Sequence, residues 1–442
     1  MLDVTRSRTG RSVVPPSAIV VIAVLALVVR LRFIDEVSSD YRAFISPWYD
    51  QLAAHGGFAA VGTDVANYNP PYLYLLAAVG YLPLPKIIAI KLISTVFDIV
   101  LAGFAALVVR QRFAAPAIWV SSFAVVMLAP TVVVNSSWWG QCDSIYAAFC
   151  LGSLYFLLRT RPWWACVFFG LALSFKLQAI FFLPVLIIVL LVNRQRLLAL
   201  LAVPVTFAVM LVPAALAGRD LGSLLMIYPD QVTSGGTVAG LGGRGGRGFP
   251  GTGGAAAAAG GASGTGAGIG NGAGGLTQNA PTFYQWVGST VLWKYLGLAA
   301  AAAMTLLVAG VAVLRRRSLS TPDIVVLATT VVLAVPFLLP EMHERYFYLA
   351  DVLTIVMAFY VRRYWVVAAV VSACSLLSYA PFLWQRTIVP LPLVAFAEFL
   401  AVIATVLIFL NVLRGDARWL RKDSRALRRP ATPPRKAVAA EQ

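Results

Sequence analysis

Long apolar runs, separated by short basic or polar breaks, fill most of the sequence. Most of them approach the roughly 20 residues that an α-helix needs to cross a bilayer. Because backbone polar groups must be hydrogen-bonded inside lipid, such runs indicate spanning helices rather than a barrel. The runs lie at residues 17–34, 87–109, 114–134, 142–158, 162–176, 178–193, 197–217, 289–314, 322–339, 345–361, 363–380 and 388–412. We therefore predict an all-α polytopic membrane protein with about twelve transmembrane helices in a domain at 17–413.

Basic residues indicate the orientation of these spans. The positive-inside rule assigns basic clusters to the cytoplasm, and clusters occur at residues 6–11, 110–112, 159–161, 194–196, 315–317, 362–363 and from 414 onwards. Twelve spans put every cluster on one side, so a tail at 1–16 and a basic tail at 414–442 are both predicted to be cytoplasmic. Counting 70–85 as a span would break this pattern. We expect a short or re-entrant helix there instead, on the outer face.

Composition supports a membrane location and argues against a nucleic-acid partner. Of the 442 residues, 60% are hydrophobic and 12% are charged, and the mean hydropathy is +0.82. The net charge of +17 could indicate nucleic-acid binding, but the arginines lie between apolar runs and in the tails, where they set topology. The first run ends without a small-residue cleavage site. We expect an uncleaved first span in a multi-pass plasma-membrane protein whose tail contacts membrane lipids.

Four polar segments share the predicted outer face, at 35–72, 135–143, 218–287 and 340–344. They contain nearly all of the unusual acids, histidines and tryptophans, so we expect an extracytoplasmic functional site. Within the third segment, the Gly/Ala tract at 234–275 cannot bury enough apolar surface to fold. It is predicted to be disordered, either as a flexible lid or as a tolerated insertion.

The loop at 35–72 contains five of the eighteen acidic residues. Asp40 lies within seven residues of the end of the first run, near the lipid headgroups. Partial desolvation makes a carboxylate at that depth a better base than one in bulk water. We predict that Asp40 is a catalytic base; the alternative is a solvated loop acid.

The turn at 135–143 combines aromatic and planar polar side chains: Trp138, Trp139, Gln141 and Asp143. Tryptophan is common at membrane interfaces, and an aromatic belt explains part of this pattern. It does not explain the amide and the acid. Sugars are bound by aromatic faces that stack on C–H groups and by polar groups that hydrogen-bond the hydroxyls. The turn is therefore a candidate sugar or acceptor site.

Four further residues are candidates with structural alternatives. Tyr68 and Asn69 precede two prolines at the entry to the outer helix, where backbone stiffness explains them as well as a ligand does. Lys176 and Gln178 interrupt an apolar stretch. A lysine within a membrane domain indicates function unless it reaches the interface by snorkelling. We predict that Lys176 binds an anion, such as a lipid phosphate.

The turn with His343, Glu344 and Arg345 contains one of the two histidines of the chain. Histidine can donate to a phosphate oxygen, and the guanidinium can bind two oxygens at once. A Glu–Arg pair that ties two helix ends together is the alternative. The acids show no Asp-x-Asp and no His-x-x-x-His occurs, so we predict no metal and no other cofactor.

Together these motifs resemble those of the membrane-embedded GT-C glycosyltransferases. The nearest families are the dolichyl-phosphate-sugar transferases of glycan assembly and the bacterial polyprenyl-phosphate-mannose mannosyltransferases. The resemblance runs from Asp40 to about Leu349 and rests on the order of four motifs: Asp40, Tyr68-Asn69-Pro70-Pro71, Trp139-Gly140-Gln141-Cys142-Asp143 and His343-Glu344-Arg345.

The resemblance implies a GT-C-like bundle and an inverting hexosyltransferase of cell-envelope biosynthesis. A polyprenyl-phosphate-linked sugar would be the donor, and a glycolipid or glycan would be the acceptor. Asp40 would deprotonate the acceptor, and His343 and Arg345 would bind the donor phosphate, with Lys176 as a helper. Asn69 stands near the place where the family often has an acid. Mannose is the expected sugar because the Ala-, Val- and Arg-rich composition is typical of high-GC actinobacteria, whose envelope lipids carry mannose.

A polytopic lipid or solute transporter, or flippase, is the alternative from another class. Transporters favour paired repeats and ligand sites near the middle of the bilayer. Here the unusual polar residues concentrate at one predicted surface, and this favours the transferase.

Overall fold

The computed structural model describes residues 16–233, 275–314 and 318–414. The terminal tails, the basic cluster at 315–317 and the Gly/Ala tract up to residue 274 lie outside the described residues, so the predictions made for them rest on sequence alone.

Helices form almost all of the described chain. They are α1 Pro16–Leu31, α2 Ser46–Ala54, α3 Pro70–Gly80, α4 Lys86–Arg110, α5 Pro116–Leu128, α6 Pro130–Val133, α7 Asp143–Leu158, α8 Pro162–Phe175, α9 Leu183–Val192, α10 Ala202–Leu216, α11 Leu221–Thr233, α12 Val291–Leu314, α13 Thr321–Leu338, α14 Tyr348–Tyr360, α15 Trp365–Leu383 and α16 Leu391–Arg414. Short 3₁₀ or π turns occur at Tyr41–Ile45, Gly57–Gly62, Val134–Trp139, Leu177–Phe182, Leu197–Leu201, Phe283–Gln285, Glu344–Phe347 and Arg362–Tyr364. Two strands, β1 Thr277–Gln278 and β2 Met342–His343, pair in parallel.

The all-α polytopic prediction is confirmed, whereas the count of twelve spans is not. Each predicted run contains a helix, but only six helices among the described residues are long and apolar enough to cross a membrane. A seventh results if α5 and the segment Pro130–Trp139, which are bent by 46°, count as one span. Four other runs form apolar helices of 10–17 residues, and a basic or polar residue directly follows each of these helices.

The segment at 35–72, predicted as a loop, is mostly helical. Between α1 and α3 it forms the turn Tyr41–Ile45, the helix α2 and the turn Gly57–Gly62. Buried apolar side chains, including Leu52, pack this segment against α3 in a second hydrophobic cluster beside the main core. Burial of one apolar face outweighs the polar composition of the segment and folds it against the bundle.

Lys91 of α4 holds the segment that directly follows α1. Its ammonium group donates to the carbonyl oxygens of Phe33, Ile34 and Glu36 at 2.8, 2.9 and 2.7 Å. All three donors of the ammonium group are therefore used. These carbonyl groups belong to residues shortly before Asp40. Lys91 of α4 therefore positions the start of the turn that contains the candidate base.

Arg30, at the end of α1, makes a buried ion pair with Asp98 of α4. Two guanidinium nitrogens reach the same carboxylate oxygen at 2.7 and 3.0 Å, and both side chains are at most 3% exposed. The remaining nitrogen donates to the carbonyl oxygens of Ala26 and Met127 at 3.1 and 3.0 Å. A charge that is buried this deeply is tolerated only with such partners. The pair therefore holds α1, α4 and α5 together.

Removing one member of this pair should destabilise the protein strongly. We expect Asp98→Ala to lower the free energy of unfolding by about 3–5 kcal/mol, because it leaves a buried charge without its partner. Thermal unfolding of purified protein in detergent measures the change. The double variant Arg30→Met/Asp98→Leu should recover most of the loss, because no buried charge remains.

The ion pair between Lys86 and Asp50 provides the control, since its side chains are 36% and 59% exposed. Asp50→Ala should change the stability by no more than about 1 kcal/mol. Equal losses for Asp98→Ala and Asp50→Ala would contradict a special role for the buried pair.

Candidate active site

The carboxylate of Asp40 is bound by three side chains from distant parts of the chain. Its Oδ2 atom accepts hydrogen bonds from Trp139 Nε1 at 2.9 Å, Gln141 Nε2 at 2.6 Å and Arg345 NH1 at 2.8 Å. Among the described residues no hydrogen bond to Oδ1 is found. The Asp40 side chain is 16% exposed. One oxygen is thus held while the other remains available to a molecule that enters the site.

The turn after α6 aims Trp139 and Gln141 at the same carboxylate. Gly140 between them has φ +75° and ψ +22°, a left-handed conformation that glycine adopts without strain. The backbone N–H of Gln141 donates to the carbonyl oxygen of Asn135 at 2.9 Å, and Ser38 Oγ donates to the carbonyl oxygen of Trp139 at 2.7 Å. Gly140 therefore lets the chain reverse so that both side chains reach Asp40.

The ring of Trp139 is fully buried. It stacks on Phe382 with ring centroids 5.1 Å apart and meets the edge of Tyr379 at 5.3 Å. Arg345 Cζ lies 5.5 Å from the centre of the Trp139 ring. These contacts occupy the ring surface that we expected to stack on a sugar. In this structure Trp139 instead orients the carboxylate of Asp40.

Arg345 follows the strand β2 and faces Asp40. Burial alone would lower the pKa of its guanidinium, but the negative charges of Asp40 and Asp143 outweigh it and raise the pKa above the ordinary value. Its Nε atom is buried without a hydrogen-bond partner within the described ranges. The predicted alternative, a Glu–Arg pair between helix ends, is wrong, because Arg345 pairs with Asp40 while Glu341 pairs with Lys294 at 2.6 Å.

Asp143 and Lys176 form a second, more deeply buried pair. Their side chains are 2% and 7% exposed, and Lys176 Nζ donates to Asp143 Oδ1. Asn135 Nδ2 donates to the other carboxylate oxygen at 2.8 Å. Lys176 occupies the extended residue between α8 and the turn Leu177–Phe182. Lys176, the predicted anion-binding residue, is thus neutralised by Asp143, which is predicted to belong to the sugar or acceptor site.

His343 belongs to the two-stranded ribbon beside this centre. It pairs in register with Gln278, and its ring centroid lies 5.1 Å from that of Tyr346. Burial, followed by the charges of Arg345 and Lys176, lowers the pKa of His343 to about 3. The imidazole is therefore neutral near pH 7 and carries a single N–H donor.

Glu344 and Gln178 complete the polar lining near Arg345. Glu344 is 2% exposed, and burial raises its pKa to about 7 although the charge of Arg345 opposes the shift. Gln178 lies beside the phenol of Tyr346, and its Oε1 atom is buried without a partner in the described part of the chain. Both groups are able to exchange hydrogen bonds with a hydroxyl.

Three further predicted residues have their contacts with groups other than Asp40. Trp138 packs on Phe33 and Trp384, with ring centroids 5.4 and 5.8 Å away. Tyr68 lies 3.4 Å from the sulfur of Cys142, the neighbour of Asp143. Asn69 donates to the carbonyl oxygen of Ser174 at 3.0 Å. Tyr68 and Asn69 therefore border the Asp143–Lys176 pair, and Trp138 belongs to a separate aromatic cluster.

Four contributors to this centre were not predicted from the sequence. Ser38, Gln278, Tyr379 and Phe382 are of residue types that occur throughout the chain, and only their contacts reveal them. Lys91 and Asp98 are easier to identify from the sequence as residues with a structural role. Both are charged residues inside a predicted span, where charges are rare and need partners.

A comparison with known protein families gives one match. The model of Glycosyltransferase family 87 matches residues 67–340, which is more than half of the 442-residue chain. The match includes the turn at 135–143 and Lys176, but it begins after Asp40 and ends before His343 and Arg345. No curated protein matches the chain. The resemblance to GT-C enzymes is therefore confirmed, and the chain belongs to glycosyltransferase family 87, a family of membrane glycosyltransferases.

Proposed function

We propose that this glycosyltransferase moves a single hexose, mannose in our assignment, from a polyprenyl-phosphate-linked donor to a lipid or glycan acceptor on the extracytoplasmic face. One observation carries the proposal: the candidate base Asp40 is hydrogen-bonded to Arg345, whose charge also acts on His343, two residues away in the chain. A base and two donors suited to a phosphate therefore share one centre. No residue of the site is assigned to a metal.

In the proposed reaction Asp40 is the general base. Its Oδ2 is held by three donors, so Oδ1 accepts the proton of the acceptor hydroxyl. The acceptor oxygen attacks the anomeric carbon from the face opposite the leaving group, which inverts the configuration. The bond between the anomeric carbon and the phosphate oxygen breaks, and its electron pair leaves with polyprenyl phosphate.

Arg345 and His343 are assigned to the leaving phosphate. Arg345 uses NH1 for Asp40 and keeps its buried Nε for another acceptor. His343, whose pKa is about 3, acts as a neutral N–H donor rather than as a cation. Donors that already point at developing negative charge stabilise a transition state without reorganisation. The guanidinium thus links the base to the leaving group and sets their separation.

The remaining polar groups are assigned to the substrates. Lys176 is assigned to the phosphate as a second cation. It forms an ion pair with Asp143, so the pair as a whole is neutral and only the positive ammonium group attracts the phosphate. Gln178 and Glu344 line the space beside Arg345 and are the candidates for sugar hydroxyls. Tyr68 and Asn69 flank the Asp143 side and are assigned to the acceptor.

Asp40→Asn tests the base. We expect the turnover number to fall by roughly 10²–10⁴, the usual contribution of general base catalysis. The assay follows radiolabelled mannose from polyprenyl-phosphate mannose into a lipid acceptor. Asp50→Asn is the matched control, since this acid of the same segment is exposed and pairs with Lys86. Unchanged turnover in Asp40→Asn at normal expression would remove Asp40 from the chemistry.

His343→Ala tests the phosphate site. Loss of one donor to a charged acceptor is worth about 1.5–3 kcal/mol, so the KM for the donor should rise by roughly tenfold or more. The KM for the acceptor should change little. His55→Ala is the control, because this second histidine is exposed and bonds only its local backbone. Equal changes in both KM values would argue against a donor-specific role.

Glu344→Gln tests the electrostatics of the site through its pH dependence. The pKa of Glu344 is raised from 4.5 to about 7 in the folded protein, so the folded state binds more protons than the unfolded state between those values. Wild-type stability therefore decreases relative to Glu344→Gln as the pH rises through this window, by up to roughly 3 kcal/mol, and the difference stays constant above it. Thermal unfolding of both proteins at pH 5, 6, 7 and 8 measures the difference. A difference that does not vary with pH would contradict a raised pKa.

A further inference from the structure

An apolar groove runs along the side of the bundle, between α1, α4 and α5. It encloses about 570 Å³ and is lined by side chains such as Val24, Ile99 and Phe123, together with Gly103. Its lining along α4 extends from Thr95 to Arg110, a distance of about 22 Å at 1.5 Å per helical residue. The groove is therefore long, narrow and almost without polar groups.

The Arg30–Asp98 ion pair lies beside one part of the groove. Leu27 and Met127 line the groove there, and Arg30 donates to the carbonyl oxygen of Met127 at 3.0 Å. Asp98 adjoins Ile99 on α4 and is fully buried, and Thr95, almost one turn nearer the start of α4, still lines the groove. The charges of this pair neutralise each other.

One end of the groove carries a positive charge. Arg110 is the last residue of α4, and its guanidinium lies over the ring of Trp119 at 5.6 Å. Both residues line the groove. No ion pair of Arg110 is found among residues 16–233, 275–314 and 318–414. Its charge is therefore available to an anion at the mouth of an apolar channel.

We propose that this groove binds one anionic phospholipid, with an acyl chain between α1 and α4 and the phosphate at Arg110. Basic groups at the end of an apolar pocket between membrane helices are typical of sites for anionic lipid headgroups. The apolar lining supplies the hydrophobic part of the binding. Arg110 fixes the headgroup, and Trp119 flanks it as an aromatic side chain suited to the interface.

A phospholipid fits the groove better than the lipid-linked donor. The phosphate of the donor is assigned to Arg345, which donates to Asp40 together with Gln141. The carbonyl oxygen of Gln141 accepts a hydrogen bond from Ser94 Oγ of α4 at 2.6 Å. Ser94 and Arg110 are about 24 Å apart along the helix. A headgroup at Arg110 therefore belongs to the opposite membrane leaflet from the candidate active site, and the lipid is a structural ligand rather than a substrate.

Gly103 allows a sharp test because a side chain there would enter the groove. A Cβ atom added at Gly103 meets no atom within 4 Å, so the side chain of Gly103→Leu begins in open space and is expected to occupy the groove. Gly310 of α12 is equally open and lies outside the groove, so Gly310→Leu is the matched control. The full-length proteins are delipidated, titrated with phosphatidylglycerol or phosphatidylcholine, and analysed by native mass spectrometry.

We expect one phosphatidylglycerol to bind the wild-type protein and the Gly310→Leu variant with equal Kd, and Gly103→Leu to raise that Kd by roughly tenfold or more. Arg110→Gln, a change at an exposed position that should not affect folding, should remove the preference for phosphatidylglycerol over phosphatidylcholine. Unchanged binding in Gly103→Leu, or equal binding of both lipids by the wild type, would overturn the site.

The same variants separate this proposal from the enzymatic one. Gly103→Leu should leave the KM for the polyprenyl donor unchanged, and an increase would assign the groove to the donor chain and overturn the phospholipid site. Failure of lipid binding in these experiments would not affect the roles of Asp40 and Arg345, because the assay for sugar transfer does not depend on the groove.

Discussion

The ion pair between Asp40 and Arg345 joins residues 305 positions apart in the chain. In a bundle made of apolar helices, two opposite charges that are 16% and 20% exposed attract each other far more strongly than they would in water. Each is further held by a neighbour, Asp40 by Gln141 and Arg345 by the face of Trp139. The turn after α1, the turn before α7 and the turn after β2 consequently meet at one carboxylate. Every other part of the site is positioned relative to that contact.

The same requirement for paired charges organises the rest of the bundle. Asp98 is neutralised by Arg30 and Asp143 by Lys176, while Lys91 is satisfied by three carbonyl groups. Each of these contacts connects segments that are not adjacent in the chain. An apolar core alone would allow the helices to slide past one another, because leucine and valine pack in many registers. The charged pairs define the register, and the register places the turn that contains Asp40.

Helix positions were predictable because run length and hydropathy directly reflect the thickness of the bilayer. The fold of the segment at 35–72 was not, since its many acids concealed the apolar face that Leu52 and its neighbours bury. Asp50 and Asp64 illustrate the difficulty: they belong to the same polar segment as Asp40, yet they pair with Lys86 and Arg219, which are distant in the sequence. Trp138 and Trp139 are adjacent but point to different clusters. Their residue type cannot distinguish them, because the different directions of the two side chains depend on the π turn that contains both and on its tertiary packing.

The two-stranded ribbon of β1 and β2 affects how the length of the Gly/Ala tract can change during evolution. It begins directly after the Gly/Ala tract, where the backbone N–H of Glu341 also donates to the carbonyl oxygen of Leu276 at 2.7 Å. On the other side of the tract, Gln231 Nε2 donates to the carbonyl oxygen of Asn67 at 3.0 Å. The described residues on both sides of the tract are therefore anchored, and the entropy of connecting two fixed points of a chain grows only slowly with the number of residues between them. Residues can be gained or lost between these anchors during evolution while His343 stays in place.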